Sequence, residues 1–204
     1  MLNERRKARI EEILYRKQPD LQLFLDDVYS SQNNSAIMRS ADAVGVLHLF
    51  YSARDDQDVK IHKTITQGAH RWVSRERIAY DERVVFVRKK QAEGMQIVVT
   101  ALDADAVSFR KVDFTQPTLL VVGNEKNGVS QELIALSDQT IVIPMMGMVQ
   151  SLNVSVATAI TLYEAQRQRD NAGMYDTPRL TAKEIEQIKD AWLYRDSVAR
   201  RSKG

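Results

Sequence analysis

The 204-residue chain reads as an α/β fold: a mostly parallel sheet with helices on both faces, flanked by N- and C-terminal helices. Three observations carry this reading. Short apolar runs alternate with helix-spaced stretches along the chain, the pattern of β-α-β units. Three runs, M-Q-I-V-V-T-A-L from Met95, T-L-L-V-V-G from Thr118 and T-I-V-I-P from Thr140, are almost wholly apolar, as strands buried on both faces must be. Basic segments with helical periodicity stand at the two ends.

Ile10, Ile13 and Leu14 stand at helical spacing among basic residues and Pro19 stops the run, which predicts an arm helix within residues 1–20. L-Q-L-F-L-D-D-V from Leu21 is a strand. S-A-I-M-R-S-A-D-A-V-G is a helix from about Ser35 closed by Gly45, and V-L-H-L-F-Y-S a second strand. Residues 54–80 are polar and carry no pattern that assigns them. Glu82–Gly94 predicts a helix with a glycine C-cap, against the preference of its β-branched V-V-F-V core. V-S-Q-E-L-I-A-L-S predicts a two-turn helix with Ser130 as N-cap. The run from Ser151 to Asn171 is a long helix ended by Gly173. A last helix opens at Thr181 on the capping box T-A-K-E, with the stripe Ile185, Ile188, Trp192. The chain therefore divides into a basic arm (1–20), a body (21–175) and a basic C-terminal helix with its tail (176–204).

Composition sets the outer bounds. With 44% hydrophobic and 27% charged residues the chain has a soluble, globular composition, and no apolar run nears the roughly 18 residues that cross a bilayer. The charged N-terminus lacks the apolar core of a signal peptide. Zero cysteines exclude disulfides, a thiolate metal site and a cysteine nucleophile. A cytoplasmic location is the expectation. The net charge of +2 is unevenly spread. Residues 1–17 hold six basic groups against three acidic ones, and residues 179–204 hold seven against four, including Arg200, Arg201 and Lys203. Basic ends on a mildly acidic body fit arms that neutralise nucleic-acid phosphates. Solvated helix faces fit the charge alone equally well.

Several standard sites are absent. There is no glycine-rich nucleotide loop and no H-E-x-x-H, and His48, His62 and His70 lack ligand spacing, so no metal is expected. What remains are three loops at strand ends, where open α/β sheets bind ligands. In N-N-S-A-I-M-R, Asn33 stands at a helix mouth and Arg39 more than a turn inside. Asn33 or Ser35 as a plain N-cap accounts for the start of this helix. Arg39, set between Ile37 and the small Ala41 and Ala43, fits a groove where a guanidinium grips phosphate. In V-V-G-N-E-K-N-G-V-S, Gly123 and Gly128 allow close backbone approach, and Glu125 is either a solvated turn acid or one that orients a polar group. In I-P-M-M-G-M-V-Q-S-L-N-V-S, Ser151 and Asn153 are helix caps or face a ligand at the helix N-terminus. Met145, Met146 and Met148 are core filler or an adaptable apolar wall.

Taken in this order, the three loops resemble the three motifs of the SpoU/TrmH family of S-adenosylmethionine-dependent RNA ribose 2′-O-methyltransferases, with G-M-V-Q-S-L-N-V-S, Gly147–Ser155, the most specific. L-Y-E-A-Q-R-Q-R and N-A-G-M-Y-D, within Leu162–Asp176, are similar to the tRNA-specific branch, and the similarity extends to R-K-Q-P-D-L from Arg16 and G-A-H-R-W-V from Gly68. The resemblance implies a SPOUT fold with a C-terminal trefoil knot, S-adenosylmethionine held in the knotted loops, and a homodimer that forms the active site. It implies methylation of a guanosine in tRNA, guanosine 18 of the D-loop. The catalytic set it implies is Asn33, Arg39, Glu125, Ser151 and Asn153. The cofactor cradle it implies is Thr100, Ala101, Leu102, Val122, Gly123, Asn124, Gly128, Ile143, Met145, Met148, Ser151 and Leu152. RNA contacts fall to Arg5, Arg6, Arg9, Arg16 and Lys17, and to Arg167 and Arg169, whose place near a helix end otherwise reads as pairing with its dipole. Two alternatives stand beside this: methylation of ribosomal RNA, and a non-catalytic RNA-binding protein, which the joint presence of Asn33, Arg39, Glu125 and Asn153 disfavours. V-Y-S-S-Q ahead of Asn33 departs from the histidine-containing V-H-K-P-H of TrmH relatives.

Overall fold

The computed structural model describes residues 4–54 and 58–201, and for residues 196–201 the backbone alone. Lys203 and the side chains of Arg200 and Arg201, counted in the basic C-terminal end, lie outside the described residues. In chain order the elements are α1 (Glu4–Tyr15), β1 (Leu21–Asp26), α2 (Ser31–Ala43), β2 (His48–Ser52), α3 (Lys63–Thr66), β3 (Ser74–Arg77) and α4 (Arg83–Ala92). They continue with β4 (Gln96–Thr100), β5 (Val107–Ser108), β6 (Thr118–Gly123), α5 (Gln131–Ile134), β7 (Gln139–Val142), α6 (Val154–Asn171) and α7 (Ala182–Arg201). The strands form one sheet in the order β3-β2-β1-β6-β4-β7-β5, and every described pairing is parallel.

Alternation along the strands builds two cores. Leu21, Leu23 and Leu25 of β1 and Leu120 and Val122 of β6 pack with Ile37 and Met38 of α2 and Leu162 and Ala165 of α6. Phe24, Leu119 and Val121, their neighbours in sequence, belong to the opposite layer with Val87 of α4 and Leu133 of α5. Both faces are covered, so β1 and β6 show apolar runs rather than polar alternation. The edge strands escaped the sequence pattern: β3 is the polar S-R-E-R, and β5 has two residues. A third cluster joins Ile10 and Leu14 of α1 to Leu180 and to Trp192 of α7, with Trp72 and Trp192 edge to face at 5.1 Å. The two end helices are thus docked on each other and on the body. No described helix is long and apolar enough to cross a membrane.

Two helix starts and one helix length differ from expectation. α2 begins at Ser31 because Ser30 caps it, its hydroxyl accepting from the Asn33 N–H at 3.2 Å, so neither Asn33 nor Ser35 is the cap. α5 is a single turn, and Ser130 at its N-cap position makes no side-chain cap bond. α6 starts at Val154 with Asn153 as its cap, leaving Ser151 outside the helix.

Two of the cations expected to meet RNA are structural. Lys17 and Arg169 are fully buried. The Lys17 ammonium donates to Asp42 at 2.9 Å and to the Val46 carbonyl at 3.2 Å; burial pushes its pKa down, against the pull of Asp42. The Arg169 guanidinium donates to Asp20 at 2.7 Å, Gln18 at 3.0 Å, and the carbonyls of Phe114 at 2.8 Å and Gln116 at 3.1 Å. It ties the end of α6 to the start of β1 and to the segment entering β6. A charge so enclosed has no face left for phosphate.

For Asp20, burial acts to raise the carboxyl pKa, but hydrogen bonds from Arg179 and Arg169 outweigh it and hold the group below its ordinary value. The stabilisation is therefore present above the unfolded-state value of about 3.9 and is lost as pH falls below it. Asp20→Ala leaves the buried Arg169 charge without its partner and is expected to cost about 3–5 kcal/mol at neutral pH. Urea unfolding checks this: the deficit should shrink below about pH 4, whereas a loss under about 1 kcal/mol would show that the pair contributes little.

Candidate active site

Since every described pairing is parallel, β1, β6, β4 and β7 end at one edge, with Asp26 paired to Gly123 and Thr100 to Ile141. The segments that leave β4, β6 and β7, with the first turn of α6, enclose a cleft of about 770 Å³. Of the residues expected to cradle a cofactor, Thr100, Ala101, Leu102, Val122, Gly123, Asn124, Gly128, Ile143, Met145, Ser151 and Leu152 line it. Met148 does not; its side chain stands fully exposed. Asp103, Gln131, Gln150 and Ala157 also line the cleft and were not anticipated. Ala157 was legible, since it lies one turn beyond Asn153 on the same helix face.

The turn after β6 explains its glycines. Asn124 and Gly128 exchange two backbone hydrogen bonds, at 3.2 and 3.0 Å. A Cβ on Gly123 would fall 2.0 Å from the Gly128 carbonyl carbon, and Gly128 holds φ at 68°. The far end of the turn is bound to β1: Asp26 accepts from the Ser130 N–H at 2.8 Å and from the buried Arg83 guanidinium at 2.6 Å.

At the mouth of the cleft three of the expected catalytic side chains meet. The Asn153 amide nitrogen donates to Asn33 Oδ1 at 3.2 Å, and the Asn33 amide nitrogen donates to Glu125. Asn153 is also the cap of α6, its Oδ1 accepting from the Ser155 N–H at 2.8 Å and the Ser155 hydroxyl at 2.6 Å. Helix capping therefore sets which way its amide faces, and the nitrogen is left for Asn33. Ser151 is exposed on the cleft wall beside them.

Arg39 is not drawn into this cluster. It is exposed on α2, about 9 Å along the helix from Asn33, with no hydrogen-bond or ion-pair partner among the described residues. Of the expected RNA contacts, Arg5, Arg9, Arg16 and Arg167 are exposed. Arg9 and Arg16 both pair with Glu12, Arg167 pairs with Glu164, and Arg6 lies over the Trp72 ring at 5.5 Å. Apolar side chains are exposed near the site as well. Val156, Ile160 and Tyr163 form a stripe along α6, and Met146, Met148 and Val149 extend beyond its N-terminus.

A cleft of this kind, at the carboxyl edge of a parallel sheet with an amide and carboxylate cluster at its mouth, defines an α/β protein that holds a small molecule against a polar substrate group. The chain belongs to the SpoU rRNA Methylase family, whose model matches residues 20–163. It is 49% identical over 200 residues to the tRNA (guanosine(18)-2'-O)-methyltransferase of Aquifex aeolicus, covering 98% of this chain and 94% of that protein. The crystal structure of the A. aeolicus TrmH/SpoU tRNA modifying enzyme superposes with a TM-score of 0.91 at 50% identity, over 95% of this chain and 97% of that one. The SpoU methyltransferase AviRb from Streptomyces viridochromogenes, solved in complex with the cofactor AdoMet, matches with a TM-score of 0.66 at 33% identity, over 77% and 62% of the two chains.

The turn geometry is directly testable. Gly123→Ala forces the Asn124–Gly128 pairing apart and is expected to destabilise the fold by about 1–3 kcal/mol. An unfolding midpoint equal to that of the wild type would mean that the turn yields freely.

Proposed function

We propose that this chain transfers a methyl group from S-adenosylmethionine to the ribose 2′-hydroxyl of a guanosine in tRNA, guanosine 18 of the D-loop. The observation that carries the reading is the Asn153–Asn33–Glu125 chain of contacts at the mouth of the strand-end cleft. The relatives named for that reaction support the choice of tRNA over ribosomal RNA. The cleft fits the cofactor: its volume is that of small-molecule sites, and it offers apolar walls at Leu102, Ile143 and Leu152 beside open turn backbone. Bound there, S-adenosylmethionine supplies an electrophilic methyl group on a sulfonium.

The protein's tasks are alignment and care of one proton. Asn33, fixed between Asn153 and Glu125, presents an oriented amide to the ribose. Glu125 is the carboxylate of this cluster; it accepts a hydrogen bond from the attacking hydroxyl and passes that proton to solvent as the oxygen takes the methyl group. Ser151 contacts the same group from the cleft wall. Arg39 keeps its charge at neutral pH and acts as a clamp on an RNA phosphate rather than as a base.

The enzyme works as a cytoplasmic homodimer. Its support is the uncovered stripe Val156, Ile160, Tyr163 on α6, which a second copy would bury, with α2 and its Arg39 packed alongside. Residues 21–175 form the catalytic domain, with the trefoil knot of the family in their C-terminal part. The N-terminal end, 1–20, meets RNA through Arg5, Arg6, Arg9 and Arg16, together with Arg167 from α6, and the basic end 176–204 adds positive charge to the same protein.

Tritium transfer from labelled S-adenosylmethionine to total tRNA and to ribosomal RNA, followed by nucleoside mapping, tests the reading. Incorporation as 2′-O-methylguanosine in tRNA is expected, and its absence from tRNA would defeat it. Arg39→Ala should abolish turnover while cofactor affinity stays within about twofold, since the cofactor cleft does not include it. Near-normal methylation by that variant would remove Arg39 from the catalytic set.

A further inference from the structure

Asp27 leaves the backbone geometry of its strand. It follows β1 directly with φ at 56°, one of two non-glycine residues with positive φ among the described residues. Asp and Asn enter this left-handed region more readily than other side-chain-bearing residues, and such a residue persists where its surroundings require it. Here its carboxylate bridges the segment after β2 and the turn after β6. Asp27 Oδ1 accepts from the Arg54 N–H at 3.1 Å, and Oδ2 faces Arg54 Nε at 3.0 Å and accepts from the Asn124 amide nitrogen at 3.4 Å.

Asn124 is the hub of that turn. Its Oδ1 accepts from the N–H groups of Lys126 at 3.0 Å and Asn127 at 2.6 Å. With the oxygen occupied, the amide nitrogen must face an acceptor, and Asp27 is that acceptor. One residue earlier, Asp26 holds Ser130 at the other end of the turn. Consecutive acids at the end of β1 thus grip both ends of the segment that carries Glu125 and walls the cleft.

We propose that Asp27 is a positioning residue for methyl transfer: its carboxylate sets the Asn124 amide, and through it the turn that presents Glu125 to Asn33 and closes one side of the cofactor cleft. The inference rests on the methyltransferase reading above. It assigns Asp27 no contact with cofactor or RNA.

Two variants separate anchoring from mere folding. Asp27→Gly deletes the carboxylate while glycine adopts the left-handed backbone without strain, so any fall in its unfolding midpoint reports the lost carboxylate contacts and added chain freedom rather than a strained backbone, and the variant is assayed well below that midpoint. Asp27→Asn keeps one acceptor oxygen, which can serve Asn124, and the tolerance for positive φ, while its amide nitrogen cannot accept from the Arg54 N–H. With tritiated S-adenosylmethionine and a tRNA transcript, Asp27→Gly should lose about threefold to tenfold in kcat/KM for the cofactor, the scale of one lost hydrogen bond. KM for tRNA should not move, and Asp27→Asn should recover most of the loss. Wild-type kinetics in a folded Asp27→Gly, or a loss that Asp27→Asn shares in full, would overturn the inference. Amide hydrogen exchange at Lys126 and Asn127 tests the anchor without turnover: faster exchange in Asp27→Gly supports it, and unchanged exchange contradicts it. An inactive wild type would sink the methyltransferase reading, while the exchange rates would still decide whether Asp27 holds the turn.

Discussion

When β1, β6, β4 and β7 pair in parallel, four chain segments must leave the sheet at the same edge, and their ends become neighbours whatever their separation in sequence. Asn33 lies 92 residues from Glu125 and 120 from Asn153, yet the three share hydrogen bonds because the sheet delivers α2, the turn after β6 and the cap of α6 to one place. Register does the aligning. Asp26 opposite Gly123 sets the height of the turn, and Thr100 opposite Ile141 sets the opposite wall of the cleft. A slip of one residue would send each of these side chains to the other face.

The cations divide by burial into two jobs. Lys17, Arg83 and Arg169 are enclosed and each meets a carboxylate, so they close the structure around β1 and its neighbours. Arg39 and the arm residues Arg5, Arg9 and Arg16 stay in solvent, where a phosphate can reach them. A similar division holds within a single side chain at the site. The Asn153 amide both ends a helix and orients Asn33, because its oxygen and nitrogen serve different partners.

Much of this was legible in the sequence because burial on both faces writes itself as apolar runs, and β1, β4 and β6 stand out in this way. β3 did not, since S-R-E-R sits at a sheet edge where nothing selects for apolar side chains, and β5 is too short for any period. The three loops of the site were legible as strand ends rich in glycine and small polar residues. Their hydrogen-bond chain was not, because Ser30 rather than Asn33 caps α2, and the partners Glu125 and Asn153 lie far off in sequence. Lys17 and Arg169 misled for a related reason. Charge read along a sequence carries no record of burial, and their partners Asp42 and Asp20 lie 25 and 149 residues away. Met148, set among methionines that could have formed a wall, instead points to solvent.

If the strand-end cleft is where the cofactor binds, the loops after β4, β6 and β7 must hold it together. Hydrogen exchange of the wild-type protein with and without S-adenosylhomocysteine tests this most directly. Protection confined to residues 100–103, 122–129 and 141–153 is the predicted result. Protection centred away from these three loops, or none at the strand ends at saturating ligand, would contradict it.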